Sequence, residues 1–379
     1  MTLPHGRIAP CLFALIIICS AASPAQEPQL SAAKRTQIDA AVSKFMASTH
    51  VPGVSVAVVE GGRLEWAAGF GFADLENNVP ATEQTLFRLG SISKPLTAVG
   101  AMELVEGGQL DLDAPVQKYC PAFPQKSGTI TTRLVMGHLA GIRHYKGGSQ
   151  DDPEIGNTKH FDDPIQGGLD FFRNDALLSE PGAHFHYSTQ GYTVVGCVIE
   201  GATKTKYVDY IKKSVFGPAG MEQTQVDNRF TIIPYRTRFY AKTKSGTVEN
   251  ADFLDSSYKI PGGGWLSSAE DMGRFEIAIL NDKLMKPATR ELMWTPLKPS
   301  DGSAPNGYAL GWGSITMNGV RVVGHSGGQQ GTSTDFLIAP EQKSGVVVLT
   351  NMEGISANEL SKEILAIILG KTATSGQKP

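Results

Sequence analysis

The sequence predicts an α+β fold, an α/β sandwich in which one antiparallel sheet is drawn from both ends of the chain and a mostly helical lobe is inserted between its halves. Three observations carry this expectation. Strand-like runs joined by a tight turn lie near the N-terminus, further strand-like runs lie near the C-terminus, and each set stands beside a helix of suitable spacing. The 379 residues, 41% of them hydrophobic, can bury a core large enough for one two-lobed domain.

The elements follow in order. Residues Ser31 to Ser48 place Ile38, Val42, Phe45 and Met46 at helical spacing, which predicts a surface helix. Val54 to Val59 and Leu64 to Phe70 flank Gly61-Gly62 and read as a hairpin. Toward the other end, Val320 to Val323, Asp335 to Ile338 and Val346 to Leu349 read as strands, and Ala357 to Leu369 as a closing helix. Between them, from Ser91 to about Met293, the chain is helix and loop, with turn-rich stretches such as 145–153. The expected division is a single domain over 26–371, with a sheet lobe at about 30–90 and 295–371 and a helical lobe at about 91–294. A flexible tail is expected over 372–379.

The first residues suit an export signal: one arginine, an apolar run from about Cys11 to Cys19, then Ser23-Pro24-Ala25. Cleavage is expected after Ala25, giving a periplasmic or secreted protein. Cys19 could instead anchor a lipid, but Ile18 before it is bulky for such a signal. No later run approaches the ~20 apolar residues of a spanning helix, so no stable membrane span is expected after cleavage. A formal net charge of -3 without a basic run gives no footprint for nucleic acid or an anionic membrane. A small-molecule or peptide substrate is the better expectation, and the sequence fixes no oligomeric state.

Removal of the leader leaves Cys120 and Cys197. Export permits a disulfide between them, yet Cys197 lies in the apolar run Tyr192 to Ile199, where a small buried thiol is the expected reading. Two cysteines cannot supply a four-ligand zinc site, and no HExxH spacing occurs. Neither a metal nor a cofactor is expected.

Three serine-lysine pairs have the spacing SxxK: Ser31/Lys34, Ser91/Lys94 and Ser256/Lys259. Ser31 starts the surface helix, and Ser256/Lys259 precedes Pro261 and a glycine run, so neither pair is expected to be held rigidly. Ser91/Lys94 opens a long apolar helix with Ile92, Leu96, Val99 and Met102 buried and Gly107-Gly108 ending it. At i and i+3 both side chains lie on one face, within reach of each other. A lysine in a dry site can accept a proton, and the helix N-terminus favours negative charge on the serine oxygen. On its own the pair also fits a helix cap with a solvated lysine.

Two further stretches stand out. Pro181-Gly182-Ala183-His184-Phe185-His186-Tyr187-Ser188-Thr189 leads into an apolar helix, and Gly324-His325-Ser326-Gly327-Gly328 begins beside a strand, where glycines let a substrate lie against the backbone. Together with LFRLGSISK, Pro218-Ala219-Gly220-Met221 and Gly262-Gly263-Gly264-Trp265-Leu266-Ser267-Ser268-Ala269-Glu270, these motifs resemble the serine β-lactamase/penicillin-binding-protein superfamily, on the class C β-lactamase and esterase branch. Ser267 and Glu270 are expected to form a capping box.

The resemblance implies the β-lactamase/transpeptidase-like fold and the following roles. Ser91 is the acylated nucleophile, and Lys94 and Tyr187 share its proton. The backbone N–H groups of Ser91 and Gly328 form the oxyanion hole, and Thr189, His325, Ser326 and Gly327 contact the substrate. His138 matches a family turn and reads as structural. Two departures bear on substrate. Thr189 stands where the family commonly has asparagine, and His325 where true β-lactamases often have lysine; this pattern looks more like the mitochondrial β-lactamase-like proteases and related bacterial esterases. The expected function is an exported serine hydrolase that cleaves esters or amides through an acyl-enzyme. The rivals are a D,D-carboxypeptidase or D-aminopeptidase, a true class C β-lactamase, and a non-catalytic protein that binds peptidoglycan or a partner.

Overall fold

The computed structural model describes residues 1–2, 30–147, 154–303 and 306–370. The expected leader with its cleavage point after Ala25, part of the turn-rich stretch at 145–153 and the tail at 371–379 lie outside the described residues. The principal helices are α1 (Ala32–Thr49), α2 (Ser93–Glu106), α3 (Thr189–Thr203), α4 (Ala269–Leu280) and α5 (Ala357–Ile368). Among the described residues no helix is long and apolar enough to cross a membrane.

The hairpin expected around Gly61-Gly62 joins β1 (Gly53–Glu60) to β2 (Arg63–Asp74), and a short β3 (Val79–Pro80) extends it. From the far end of the chain come β4 (Gly313–Met317), β5 (Val320–Gln329), β6 (Thr332–Ala339) and β7 (Ser344–Thr350). They complete an antiparallel sheet of order β3-β2-β1-β7-β6-β5-β4. The two chain ends meet at β1 and β7, where Val56 pairs with Val348 and Val58 with Val346.

Alternation along these strands feeds two cores. Val54, Val56, Val58, Val346 and Val348 pack with α1 and α5 residues such as Val42 and Ile364, while Ala57, Val59, Val347 and Leu349 pack with Phe275 and Ile279 of α4. Both faces are therefore covered, which is why every residue of β7 is buried. The helical lobe was expected to run to about 294. The structure corrects this, because α4 at 269–280 lies on the sheet.

Three other expectations change. Cys120 and Cys197 are joined in a disulfide with their Cα atoms 5.3 Å apart, so Cys197 is not a free buried thiol. The apolar surroundings that suggested a thiol are those of a helix face meeting a loop. The cap of α4 is Ser268, whose hydroxyl accepts from the Asp271 amide, and not Ser267 with Glu270. Ser267 instead bonds Thr224 at 2.7 Å, and Glu270 is drawn to Arg274. Finally, Ser256 and Lys259 are buried within the protein rather than loosely held. A single turn of 3-10 helix at 257–259 followed by the helix Ile260–Gly263 fixes that segment. Ser31, by contrast, caps α1 as its position suggested, accepting from the Lys34 amide.

Candidate active site

Ser91 sits in a one-turn 3-10 helix, Gly90–Ile92, that leads into α2. The segment before it is pinned to the sheet: Thr332 Oγ1 donates to the Arg88 carbonyl at 2.9 Å and Thr334 Oγ1 to the Leu89 carbonyl at 2.9 Å. Gly90 has φ of +52°, and a Cβ there would lie 2.8 Å from the Gly328 nitrogen. At Gly327 a Cβ would lie 2.0 Å from the Leu89 carbonyl oxygen. Only glycines allow this approach, which brings the Ser91 turn against β5. Ser91 and Gly328 consequently line one pocket of about 520 Å³.

Lys94 is fully buried, and its Nζ lies 2.9 Å from Ser91 Oγ, 2.9 Å from the Gly262 carbonyl and 3.1 Å from Thr189 Oγ1. Burial, and then the charge of Lys259, hold its pKa well below the ordinary 10.5. A neutral amine has two N–H groups and one lone pair. The carbonyl and the threonine hydroxyl take the N–H groups, which leaves the lone pair for the Ser91 hydroxyl.

Tyr187 is hydrogen-bonded to Ser91, yet burial outweighs that bond and raises its pKa, so it stays a phenol. It lies just before the cap of α3, where the Ser188 hydroxyl accepts from Gly191 at 2.9 Å. Two histidines fix this corner. His138 Nδ1 accepts from the Ser188 amide at 3.2 Å, and His144 Nδ1 from the Thr189 amide at 3.2 Å. Both are held neutral. Burial is the larger cause in each case, and Lys94 adds to it; His144 falls to about 4. The ring of His138 also lies tilted against that of Tyr187, with centroids 4.4 Å apart, in keeping with its expected structural place.

His325 bridges two groups on the other wall. Its Nδ1 donates to the Ser326 carbonyl at 2.5 Å, leaving Nε2 to accept from Tyr308 Oη at 2.9 Å. Burial, with Lys94 second, pushes it down to about 3, so it is uncharged near neutral pH. Among the described residues, no strand pairs with β5 on its outer side beyond Gly324, and the edge at His325 to Gly328 opens on the pocket.

The expected residues thus gather: Ser91, Lys94 and Tyr187 form one hydrogen-bonded cluster, and His325, Ser326 and Gly328 line the pocket beside it. Two expected substrate contacts are placed differently. Thr189 is buried beneath the pocket as a partner of Lys94, and Gly327 faces the Leu89 backbone. Sequence reading missed Tyr308, His144, Tyr145 and Lys259. Tyr308 follows a turn with no local signal, whereas Lys259 belongs to an SxxK pair judged by its glycine-rich surroundings alone. No group of three or more His, Cys, Asp and Glu is placed to hold a metal ion among the described residues.

A serine-lysine-tyrosine cluster, its lysine buried, at the junction of a helical lobe and an antiparallel sheet defines a β-lactamase/transpeptidase-like serine hydrolase fold. Comparison agrees: residues 38–368 match the Beta-lactamase family, and the chain belongs to it. It is 31% identical to the human serine beta-lactamase-like protein LACTB, mitochondrial, covering 83% of this chain and 76% of that protein. It is 30% identical to penicillin-binding protein 4* of Bacillus subtilis, covering 79% and 68%. Among solved structures, the octameric penicillin-binding protein homologue from Pyrococcus abyssi superposes with a TM-score of 0.77 at 27% identity, over 89% of this chain and 78% of that one. The D-amino acid amidase of Ochrobactrum anthropi shares the fold at 23% identity, with a TM-score of 0.76 over 89% and 98%.

Proposed function

We propose that this protein is an exported serine hydrolase that cleaves uncharged esters or amides through an acyl-enzyme on Ser91. The observation that carries this reading is the Lys94 amine, fully buried and 2.9 Å from Ser91 Oγ, at the floor of an open pocket. Lys94 takes the Ser91 proton as Oγ attacks the carbonyl carbon. The N–H groups of Ser91 and Gly328 receive the oxyanion, an arrangement in which one donor is typically worth ~3 kcal/mol of barrier. Tyr187 passes its proton to the leaving group and is reprotonated from Lys94. Water then attacks the acyl carbon, gives its proton to the same pair, and Ser91 Oγ recovers one as it leaves. The opposite pKa directions favour Lys94 as base and Tyr187 as acid. No cofactor enters these steps.

The pocket wall supports the substrate class. Among the described residues that line it there is no cation: His325 is neutral, and Asp335 is the one residue of a charged type. Penicillins and cephalosporins carry a carboxylate that gains nothing there, whereas a simple ester carries none. Short-chain p-nitrophenyl esters are expected to exceed nitrocefin in kcat/KM. His325→Lys is expected to raise the nitrocefin-to-ester ratio about threefold if it recovers ~0.7 kcal/mol. A wild type that prefers nitrocefin would replace this reading with that of a β-lactamase. The open edge at His325 to Gly328 favours a second reading, a peptide laid along β5. Turnover of D-amino-acid peptides above that of esters would establish it.

Export is supported by the leader-like first residues and by the Cys120–Cys197 disulfide, which persists in oxidising compartments. Digestion by added protease in spheroplasts, with protection in intact cells, or recovery in the medium, is the expected result; protection in spheroplasts that is lost only on permeabilisation, as for a cytoplasmic protein, would refute it.

A further inference from the structure

Lys259 is a second lysine buried at this site, and the steps above do not use it. It is 3% exposed; no hydrogen bond or ion pair joins its side chain to another described residue, and Nζ keeps a trace of solvent contact. Two rings flank it, with Nζ 5.5 Å from the centroid of Tyr145 and 5.4 Å from that of Tyr258. Tyr145 stacks on His144, whose ring is edge-on to Tyr187. The Lys259 stem passes beside Gly263, which itself backs onto Gly90. Lys259 stands at the residue before the short helix Ile260–Gly263, and the Gly262 carbonyl of that helix holds Lys94 Nζ. One turn of chain therefore carries both the second lysine and the acceptor of the first.

A nearly buried ammonium without a protein acceptor is costly, and an apolar side chain of equal length would remove that cost. Cations over ring faces recover only part of it. The expense has to be matched by something other than stability. We propose that Lys259 is a positioning residue whose charge keeps the neighbouring Lys94 amine free to accept the Ser91 proton. This inference rests on the reading of Ser91 as nucleophile.

The surrounding charges agree in sign. Facing Lys94 are Tyr187 and Tyr192, the neutral His138, His144 and His325, and Lys259. Facing Lys259 are Tyr145, Tyr258 and the Arg88 guanidinium, whose own charge is met by Asp227 at 2.6 Å. The nearby Glu154 is held by Arg143 at 2.8 Å. No carboxylate among the described residues pairs with either lysine; burial, and then the Arg88 guanidinium, push Lys259 down to about 7, so it carries its charge on the acid side of neutrality. Two such amines lose their protons in coupled steps, and removing one charge lets the other keep its proton to higher pH.

The test is the second-order rate of inactivation by a fluorophosphonate, measured against pH in the wild type, Lys259→Met, Lys259→Gln and Lys259→Arg, with Tm for each. The acid limb in the Met and Gln variants is expected to move alkaline by about one pH unit, a tenfold loss at fixed pH on the limb. Lys259→Arg, which keeps the charge, is expected to hold the wild-type limb, and Lys259→Met to melt no lower than wild type. An unmoved limb in whichever neutral variant folds, even with a lower plateau, would overturn the inference and leave a packing role. A wild type that is not inactivated at all would instead overturn the Ser91 reading, and this inference with it.

Discussion

Lys94 and Tyr187 reach Ser91 Oγ from two sides, and burial shifts them in opposite senses, the amine toward neutrality and the phenol away from ionisation. If the two handle one proton, Lys94→Ala and Tyr187→Phe should each lower kcat/KM by ~100-fold or more, and the double variant should cost far less than the product. Multiplicative losses in a double-mutant cycle of ester hydrolysis would show two independent roles. The sign of the pH profile also follows. Activity needs the neutral amine, so it rises with pH through a limb well below the ordinary lysine value. Tyr187, with its pKa raised, sets no limb near neutrality. At this scale the cluster of Ser91, Lys94 and Tyr187 was legible because each is fixed by a short motif at a helix start. Tyr308 and Lys259 were not, because what places them is burial against distant residues; a local pattern cannot report that Lys259 meets Tyr145 across the fold.

Helix α4 carries an element-scale anomaly of its own. Glu276 is fully buried against β7, and neither carboxyl oxygen has a hydrogen-bond partner. Burial holds its pKa well above the usual value, so the folded protein keeps a proton that the unfolded chain releases near pH ~4.3. The folded state thus binds more protons above that pH, and stability falls as pH rises. Glu276→Met, of similar length, should raise Tm by several degrees, most strongly toward neutral and alkaline pH, as measured by thermal melts across pH; an equal or lower Tm would show that the acid is compensated. The disulfide is the other element-scale lever. It closes a separation of 77 residues, for which chain entropy gives about 4.5 kcal/mol. Cys120→Ala/Cys197→Ala should unfold at markedly lower urea than wild type, and an unchanged midpoint would deny it that role. Sheet elements were legible through strand-like apolar runs at both chain ends and the Gly61-Gly62 turn. The disulfide and the docking of α4 were not, since pairing and packing partners lie far apart in sequence.

Across the whole molecule, the site is the seam between a sheet closed by both chain ends and the helices inserted between them. Arg88, three residues before Ser91, ties this seam together. Its guanidinium is buried against Asp227 at 2.6 Å and donates to the Gln330 carbonyl at 2.9 Å and the Leu254 carbonyl at 3.3 Å. Arg88→Ala strands the Asp227 charge beside a looser Arg236 contact at 3.2 Å, and a loss of roughly 3–5 kcal/mol is expected in urea unfolding; a loss below about 1 kcal/mol would show that the seam does not depend on it. The arrangement exists to hold one serine oxygen against one neutral amine. The most direct measurement of that claim is intact mass and peptide mapping after fluorophosphonate treatment. Wild type is expected to gain one adduct, on Ser91, and Ser91→Ala to gain none. An adduct that persists in Ser91→Ala, or that maps to the buried Ser256 beside Lys259, would contradict the account.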